Sequence, residues 1–227
     1  MSDFTPPEFD RYASRYEADL RQSIPSFLAE DEYFTEYKIR HVARRIGNRE
    51  LTRCLDFGCG IGLSLGLLRQ RFPTAEFWGY DVSSRSVDLA RERAGTSILT
   101  SNLDDLPASG FDMIFAANVF HHIPRVARED ALARCKRLLR QSGVLFLFEH
   151  NPLNPITRLV FERCPYDEGA VMLHRREVFR LVEAVGLQII HSDYTLFFPR
   201  QLAFLRPVER MLGWLPSGAQ YCVEMVK

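Results

Sequence analysis

Five short polar stretches interrupt the apolar runs of this chain: Asp56-Phe57-Gly58-Cys59-Gly60-Ile61-Gly62, Asp81-Val82, Asn102-Leu103-Asp104, Asn118-Val119-Phe120-His121-His122 and Glu149-His150-Asn151. Each combines residue types that can hold a charged ligand or move a proton. Imidazoles titrate near neutral pH, so His121, His122 and His150 are candidates for proton transfer, with Glu149 as base or anchor. The opposing reading of the two later stretches is local: one histidine caps or packs in its connection, and Glu149-His150-Asn151 forms a hydrogen-bonded turn before Pro152. A metal would draw on Glu149, His150 and His121, but their spacing is not diagnostic, and no metal is expected.

The glycine stretch carries the clearest chemistry. Gly58, Gly60 and Gly62 stand at every second position, where a missing β-carbon permits positive φ and close approach of a ligand. Ile61, Leu65, Leu68 and Phe72 then fall on one helix face, so the turn runs into a helix N-terminus whose free N–H groups face the ligand. A dinucleotide fingerprint needs its third glycine at position 63, which is Leu63. Asp56 would repel a pyrophosphate and attract an ammonium group, so the ligand has a positive end. Asp81 follows Gly62 by nineteen residues, where a doubly wound unit places a carboxylate for the ribose hydroxyls of an adenosine.

The elements that must position these groups alternate. Strands are expected at residues 53–57, 76–80, 97–100, 111–117 and 144–148. Helices are expected after the glycine turn, at 83–94 with Ser83 as N-cap, and at 127–140. The nearly continuous apolar run Phe111–Ala117 suits a central strand covered on both faces. Such alternation makes a parallel sheet, whose ligands bind at the carboxyl ends of its strands. Beyond it, Glu177–Val185 reads as a helix stopped by Gly186. Residues 187–191, 194–198 and 219–226 could be strands, and Asn151–Pro155 reads as a loop. In residues 1–50, Phe9, Tyr12, Ala13 and Tyr16 share a helical face, and Ile39, Val42, Ala43 and Ile46 face inward on a helix that leads into the first strand.

Composition narrows the partners. The 227 residues carry 46% hydrophobic residues, and Lys plus Arg equal Asp plus Glu at 29 each, so no overall field favours a polyanion such as nucleic acid. Five scattered cysteines show no zinc spacing. With no uninterrupted apolar run of membrane-spanning length and no leader-like N-terminus, the chain is expected to be cytoplasmic. Residues 199–216 mix apolar bulk with Arg200, Arg206 and Arg210. They could touch a membrane or a lipid-linked molecule, although a lid or dimer contact interrupted by Pro207 is the plainer reading.

Leu55-Asp56-Phe57-Gly58-Cys59-Gly60-Ile61-Gly62 resembles motif I of the class I S-adenosylmethionine-dependent methyltransferases, an acidic residue followed by Gly-x-Gly-x-Gly. The resemblance covers residues 53–150 well and the flanks loosely. It implies an α/β, Rossmann-like, seven-stranded and mostly parallel sheet with helices on both faces, an antiparallel C-terminal edge strand and an N-terminal helical cap. One domain over 1–227 is expected: cap 1–50, cofactor-binding core 51–150, substrate-side insertion and last strands 151–227.

The same resemblance assigns S-adenosylmethionine, with S-adenosylhomocysteine as product, to Asp56, Gly58, Cys59, Gly60, Asp81, Val82, Asn102, Leu103, Ala117 and Tyr16. Asn102 stands where relatives carry an acidic residue for the adenine amino group, with Asp104 as the alternative contact. Tyr12 and Tyr16 would close over the cofactor, or else are core aromatics. The Asn/Asp-Pro-Pro-aromatic motif of enzymes that methylate amino groups is absent after the fourth strand, and the His121-His122 pair is similar to that of small-molecule enzymes.

The expectation is therefore O-methylation of a small or lipid-linked metabolite, with His150, His121 and Glu149 catalytic and with Tyr12, His122, Tyr166 and His174 toward the acceptor. A protein or RNA methyltransferase and a non-catalytic cofactor-binding regulatory subunit are the alternatives. Oligomeric state is not legible.

Overall fold

The computed structural model describes residues 31–227. Tyr12 and Tyr16 lie outside the described residues. The chain runs α1 (Asp31–Ile46), β1 (Arg53–Phe57), α2 (Leu63–Arg71), β2 (Glu76–Tyr80), α3 (Ser84–Ala94), β3 (Ile98–Thr100), β4 (Phe111–Ala117), α4 (Arg128–Leu138) and β5 (Leu139–His150). It continues through α5 (Pro155–Arg163), α6 (Arg175–Val185), β6 (Gln188–Thr195) and β7 (Gln220–Val226). The seven strands form one sheet in the order β3-β2-β1-β4-β5-β7-β6. Pairings among β1 to β5 are parallel, and β7 is antiparallel to both β5 and β6. The antiparallel C-terminal strand sits one place in from the edge, with β6 outside it.

Successive strand residues point to opposite faces, and both faces of the central strands are covered. Leu55, Phe57, Ile114, Ala116, Leu145 and Leu147 pack on one side with Leu132 and Cys135 of α4 and Val178 and Val182 of α6. Their neighbours Cys54, Met113, Phe115, Phe146 and Phe148 pack on the other side with Ile39, Val42 and Ile46 of α1 and Leu65 and Leu68 of α2. Because the order reverses between β1 and β4, a crevice opens at their carboxyl ends, the usual ligand position in such sheets.

Four elements depart from expectation. Asn151–Pro155 is not only a loop: Asn154 Oδ1 accepts from the N–H groups of Ile156 (2.9 Å) and Thr157 (3.0 Å), and Pro155 opens α5. The fifth strand begins at Leu139, which pairs with Phe111 before the register shifts to Met113 with Val144. A β-carbon on Gly143 would lie 2.8 Å from Phe111 O, so glycine permits that irregular passage. In place of two strands at 187–191 and 194–198 there is one, β6 (Gln188–Thr195), which ends where the backbone turns left-handed at Leu196 (φ 60°). Arg200–Met211 is a 3-10 segment with a non-helical Leu202, and it leaves Phe204, Met211 and Trp214 exposed.

Candidate active site

The glycine turn is clamped to the end of β2. The N–H groups of Gly58 (2.7 Å) and Cys59 (2.9 Å) both donate to Tyr80 O, and the Gly60 N–H donates to Asp81 Oδ2 at 2.8 Å. These three turn N–H groups are therefore taken by the chain at the end of β2, ahead of the helix N-terminus at Leu63. Asp81 Oδ1 also accepts from the Ser83 N–H (3.0 Å), so the carboxylate is oriented by main chain on two sides. Ser83 in turn caps α3, accepting from the Ser86 N–H.

The glycines differ in what they serve. A β-carbon on Gly58 (φ 79°) would meet Val119 Cγ2 at 2.3 Å, so Gly58 lets the loop after β4 approach the turn. On Gly60 (φ 50°) a β-carbon would meet nothing within 4 Å, so this glycine borders open space. Asp56, 1% exposed, aims its Oδ2 at no partner among the described residues. Burial pushes the Asp56 carboxyl up to about 8, the Asp81 charge adds to the rise, and Lys38 opposes it. Lys38 is itself buried on the inward face of α1, and burial brings it down to about 8 against the pull of Glu149 and Asp56.

An orphaned buried carboxylate oxygen, an open glycine and a fixed carboxylate at the next strand end fit the ammonium, the chain and the ribose of S-adenosylmethionine. Asn102 is exposed, and its Oδ1 accepts from the Asp104 N–H (3.2 Å) to cap the short turn 103–105. An amide oxygen has two lone pairs, so that cap still leaves an acceptor. Leu103, Val82 and Ala117 are half-buried around the same crevice.

A second polar cluster, beyond the ends of β4 and β5, is built from residues far apart in the chain. Asn118 turns left-handed (φ 59°) at the end of β4 and donates its N–H to Phe148 O. Glu149, at the end of β5, reaches under the following loop. Its Oε1 accepts from the N–H groups of Val119 (3.0 Å) and Phe120 (2.6 Å), and its Oε2 lies 2.6 Å from His121 Nδ1. His121 Nε2 is 3.2 Å from Asp167 Oδ1, and His122 Nε2 is 3.5 Å from the same oxygen. The rings of His122 and His150 stand 4.0 and 5.1 Å from that of His121, and Phe161 of α5 closes the cluster edge-on.

Electrostatics separate the three imidazoles. Burial works against charging His121, yet Glu149 and Asp167 outweigh it and lift the ring to about 9. Burial, reinforced by charged His121, holds His150 down at about 4 and His122 at about 3. Burial opposes ionisation of Glu149 and Asp167 as well, but their contacts with His121 prevail and lower both. His121 is 2% exposed and enclosed by two carboxylates, so it is an anchored cation, whereas His150 and His122 present neutral rings.

Of the residues expected toward the acceptor, His122 joins this cluster and Tyr166 is buried beside Asp167. His174 stands exposed at the N-terminus of α6 and is not brought into the cluster. Sequence reasoning missed Asp167, Lys38 and Arg128. Lys38 had a signal: it sits four residues before Val42 on the apolar face of α1. Arg128, 1% exposed, donates from Nε to Phe120 O (3.1 Å) and Ile123 O (3.0 Å), from Nη1 to Glu177 (2.6 Å) and from Nη2 to Val171 O (2.6 Å). It latches the histidine loop to α6 and to the segment that follows Asp167.

Residues 54–143 match the family model described as a methyltransferase domain. A fatty-acid O-methyltransferase from Mycolicibacterium smegmatis is 28% identical over 72% of this chain and 60% of its own length. A trans-aconitate 2-methyltransferase from Afipia carboxidovorans is 35% identical over 47% of this chain and 41% of its own length. The chain thus spans about two fifths to three fifths of these curated relatives. The crystal structure of a SAM-dependent methyltransferase from Archaeoglobus fulgidus superposes with TM-score 0.68 at 14% identity, over 88% of this chain and 96% of that one. Residues 54–143 thus match a methyltransferase domain, and the seven-stranded sheet has the fold of the S-adenosylmethionine-dependent methyltransferase structures.

Proposed function

We propose that this protein transfers a methyl group to an oxygen atom of a small-molecule or lipid-linked acceptor, with the acceptor seated against the His122, His150 and Asp167 cluster. The observation that carries the reading is that this cluster gathers at the carboxyl ends of β4 and β5, on the loop whose Val119 packs against Gly58 of the glycine turn. S-adenosylmethionine supplies a sulfonium methyl, so the C–S bonding pair remains on sulfur when the acceptor's oxygen pair forms the new O–C bond. What the chain must do is align the acceptor, exclude water and take up the acceptor's proton. His150 is the group we assign to the proton, through a ring nitrogen at the end of β5. Glu149 and His121 hold the loop that aligns it, and Asp56 and Asp81 hold the cofactor.

Two further observations support the acceptor class. Fatty-acid and trans-aconitate methyltransferases, both named for small acids, are among the relatives. Phe204, Met211 and Trp214, 74%, 70% and 74% exposed, follow each other along one surface segment with Arg206 and Arg210, a composition suited to an acyl chain or an anionic membrane surface. No helix among the described residues is long and apolar enough to cross a membrane.

The test is incubation with S-adenosylmethionine and fractionated metabolite and lipid extracts, followed by mass spectrometry. The expected product is one species heavier by a CH2 group and cleaved as a methyl ether or ester. A product methylated on nitrogen or carbon, or on protein or RNA, would overturn the reading. His150→Ala is expected to lower turnover while cofactor affinity is kept.

A further inference from the structure

We propose that His121, His150 and Asp167 form a binding site for a divalent transition-metal ion at the acceptor end of the crevice. One nitrogen from each imidazole and one carboxylate oxygen lie within 4.8 Å of one another. The site draws on three separate parts of the chain: the loop after β4, the last residue of β5 and the 3-10 turn after α5. Two imidazoles and one carboxylate suit zinc, iron(II) or cobalt(II), and a three-residue set leaves coordination positions open.

The supporting geometry is that of a metal's surroundings as well as of its ligands. Glu149 Oε2 at 2.6 Å from His121 Nδ1 holds a proton on that nitrogen and leaves Nε2 as the atom an ion would take. Metal-bound histidines are commonly held in this way, with a carboxylate on the far ring nitrogen. Nε2 then faces Asp167 Oδ1 at 3.2 Å. Without an ion a proton on Nε2 bridges that contact, and a metal ion would displace it. Ligands about 2.0–2.1 Å from a tetrahedral zinc stand about 3.3 Å apart, so the contact has the length of a coordination edge. His122 Nε2, 3.5 Å from the same Asp167 oxygen, is placed to add a fourth ligand. Phe161 stands edge-on to both the His121 and the His150 rings and supplies an apolar wall.

The proposal deepens the O-methylation reading, on which the ion's role rests. An ion here would hold the acceptor's hydroxyl oxygen and lower its pKa, with the displaced proton leaving to water, and His150 would then serve as ligand in place of base. Binding itself does not depend on that role. The test is therefore a titration of the chelator-treated full chain with cobalt(II), without acceptor, followed by visible absorption and by zinc(II) displacement. One equivalent of cobalt(II) with the strong visible bands of a four- or five-coordinate site is expected, and zinc(II) should displace it.

His150→Ala and Asp167→Asn should each weaken binding at least about tenfold, and Glu149→Gln about tenfold to a hundredfold, whereas His191→Ala on β6 should not change it. Circular dichroism and S-adenosylmethionine affinity of each variant establish that it is folded. Because His150 is half-buried at a strand end, its variant serves even if the Glu149 variant unfolds. Absence of saturable cobalt(II) or zinc(II) binding, or binding unaltered in both His150→Ala and Asp167→Asn, would overturn the site. Since no acceptor is present, either outcome leaves the O-methylation reading to its own product assay.

Discussion

Glu149 Oε2 lies 2.6 Å from His121 Nδ1 while Glu149 Oε1 accepts from the N–H groups of Val119 and Phe120, so one buried carboxylate holds both the main chain and the side chain of the loop after β4. The glutamate is 1% exposed and its three bonds satisfy the charge that burial would otherwise penalise. Removing one partner of such a buried pair leaves the other uncompensated, which costs about 3–5 kcal/mol. Glu149→Gln should lower unfolding free energy by about 3 kcal/mol in urea denaturation, because the amide keeps an acceptor for the main chain but loses the charge facing His121. A loss under about 1 kcal/mol would show that the pair contributes little net stability.

Two glycines in one turn should separate packing from ligand approach. Gly58→Ala adds a carbon 2.3 Å from Val119 Cγ2 at φ 79°, so it should destabilise the fold by more than the roughly 1–2 kcal/mol expected of left-handed backbone alone. Gly60→Ala meets nothing within 4 Å, so its stability loss should stay near that backbone value while S-adenosylmethionine affinity falls. Thermal melts and calorimetric titration of both variants give the comparison. Equal melting losses would mean the turn repacks, and unchanged affinity in Gly60→Ala would place the cofactor elsewhere.

Asp56 should make cofactor binding release a proton. The groups facing its carboxyl are Asp81 from β2, Lys38 from α1 and the Cys59 thiol, which burial and Asp56 keep well above the ordinary thiol range. With its carboxyl at about 8 in the fold against 3.8 ordinarily, Asp56 is protonated in the folded chain and ionised in the unfolded one between those values. The unfolded state then binds fewer protons, so this group lowers stability as pH rises from about 4 towards about 8. An ammonium ligand needs the ionised form, so affinity should rise about tenfold per pH unit below 8. Calorimetry at pH 7 in buffers of different ionisation enthalpy should show nearly one proton released. Asp56→Asn should abolish that release and weaken binding by about tenfold to a hundredfold, the value of a hydrogen bond to a charged group.

The cofactor half was legible because it is local. Asp56, the glycines and Asp81 lie within one strand-turn-helix-strand unit, where periodicity and spacing locate each group at a strand end. The histidine cluster was legible only as isolated histidines and a glutamate. Glu149 reaches Val119 across 30 residues and His121 reaches Asp167 across 46, and no pattern along the chain announces such pairings. Asp167 was visible as one acidic residue in an irregular segment; its partner was not. The helix at 155–163 was hidden for a different reason, since Asn-Pro marks loops and helix starts alike and only the bonds from Asn154 decide. Lys38 was passed over because a lysine on an inward helix face reads as a boundary residue until a buried carboxylate is found near it.

Arg128 should prove to be the residue that keeps the histidine loop in place from behind. Its guanidinium bonds two carbonyls of that loop from Nε, Glu177 on α6 from Nη1 and Val171 O from Nη2, in a side chain 1% exposed. The forked, planar geometry matters, because a lysine ammonium at the same depth can reach only part of that set. Arg128→Lys should therefore destabilise the fold by about 2–4 kcal/mol, the scale of a broken buried hydrogen-bonded charge. Because the lost bonds lie on the acceptor side, S-adenosylmethionine affinity of the folded variant should stay within about threefold while amide hydrogen exchange speeds up at residues 119–123 and 168–173. Exchange that quickens equally around the glycine turn would instead make Arg128 a general core residue with no special hold on the histidines.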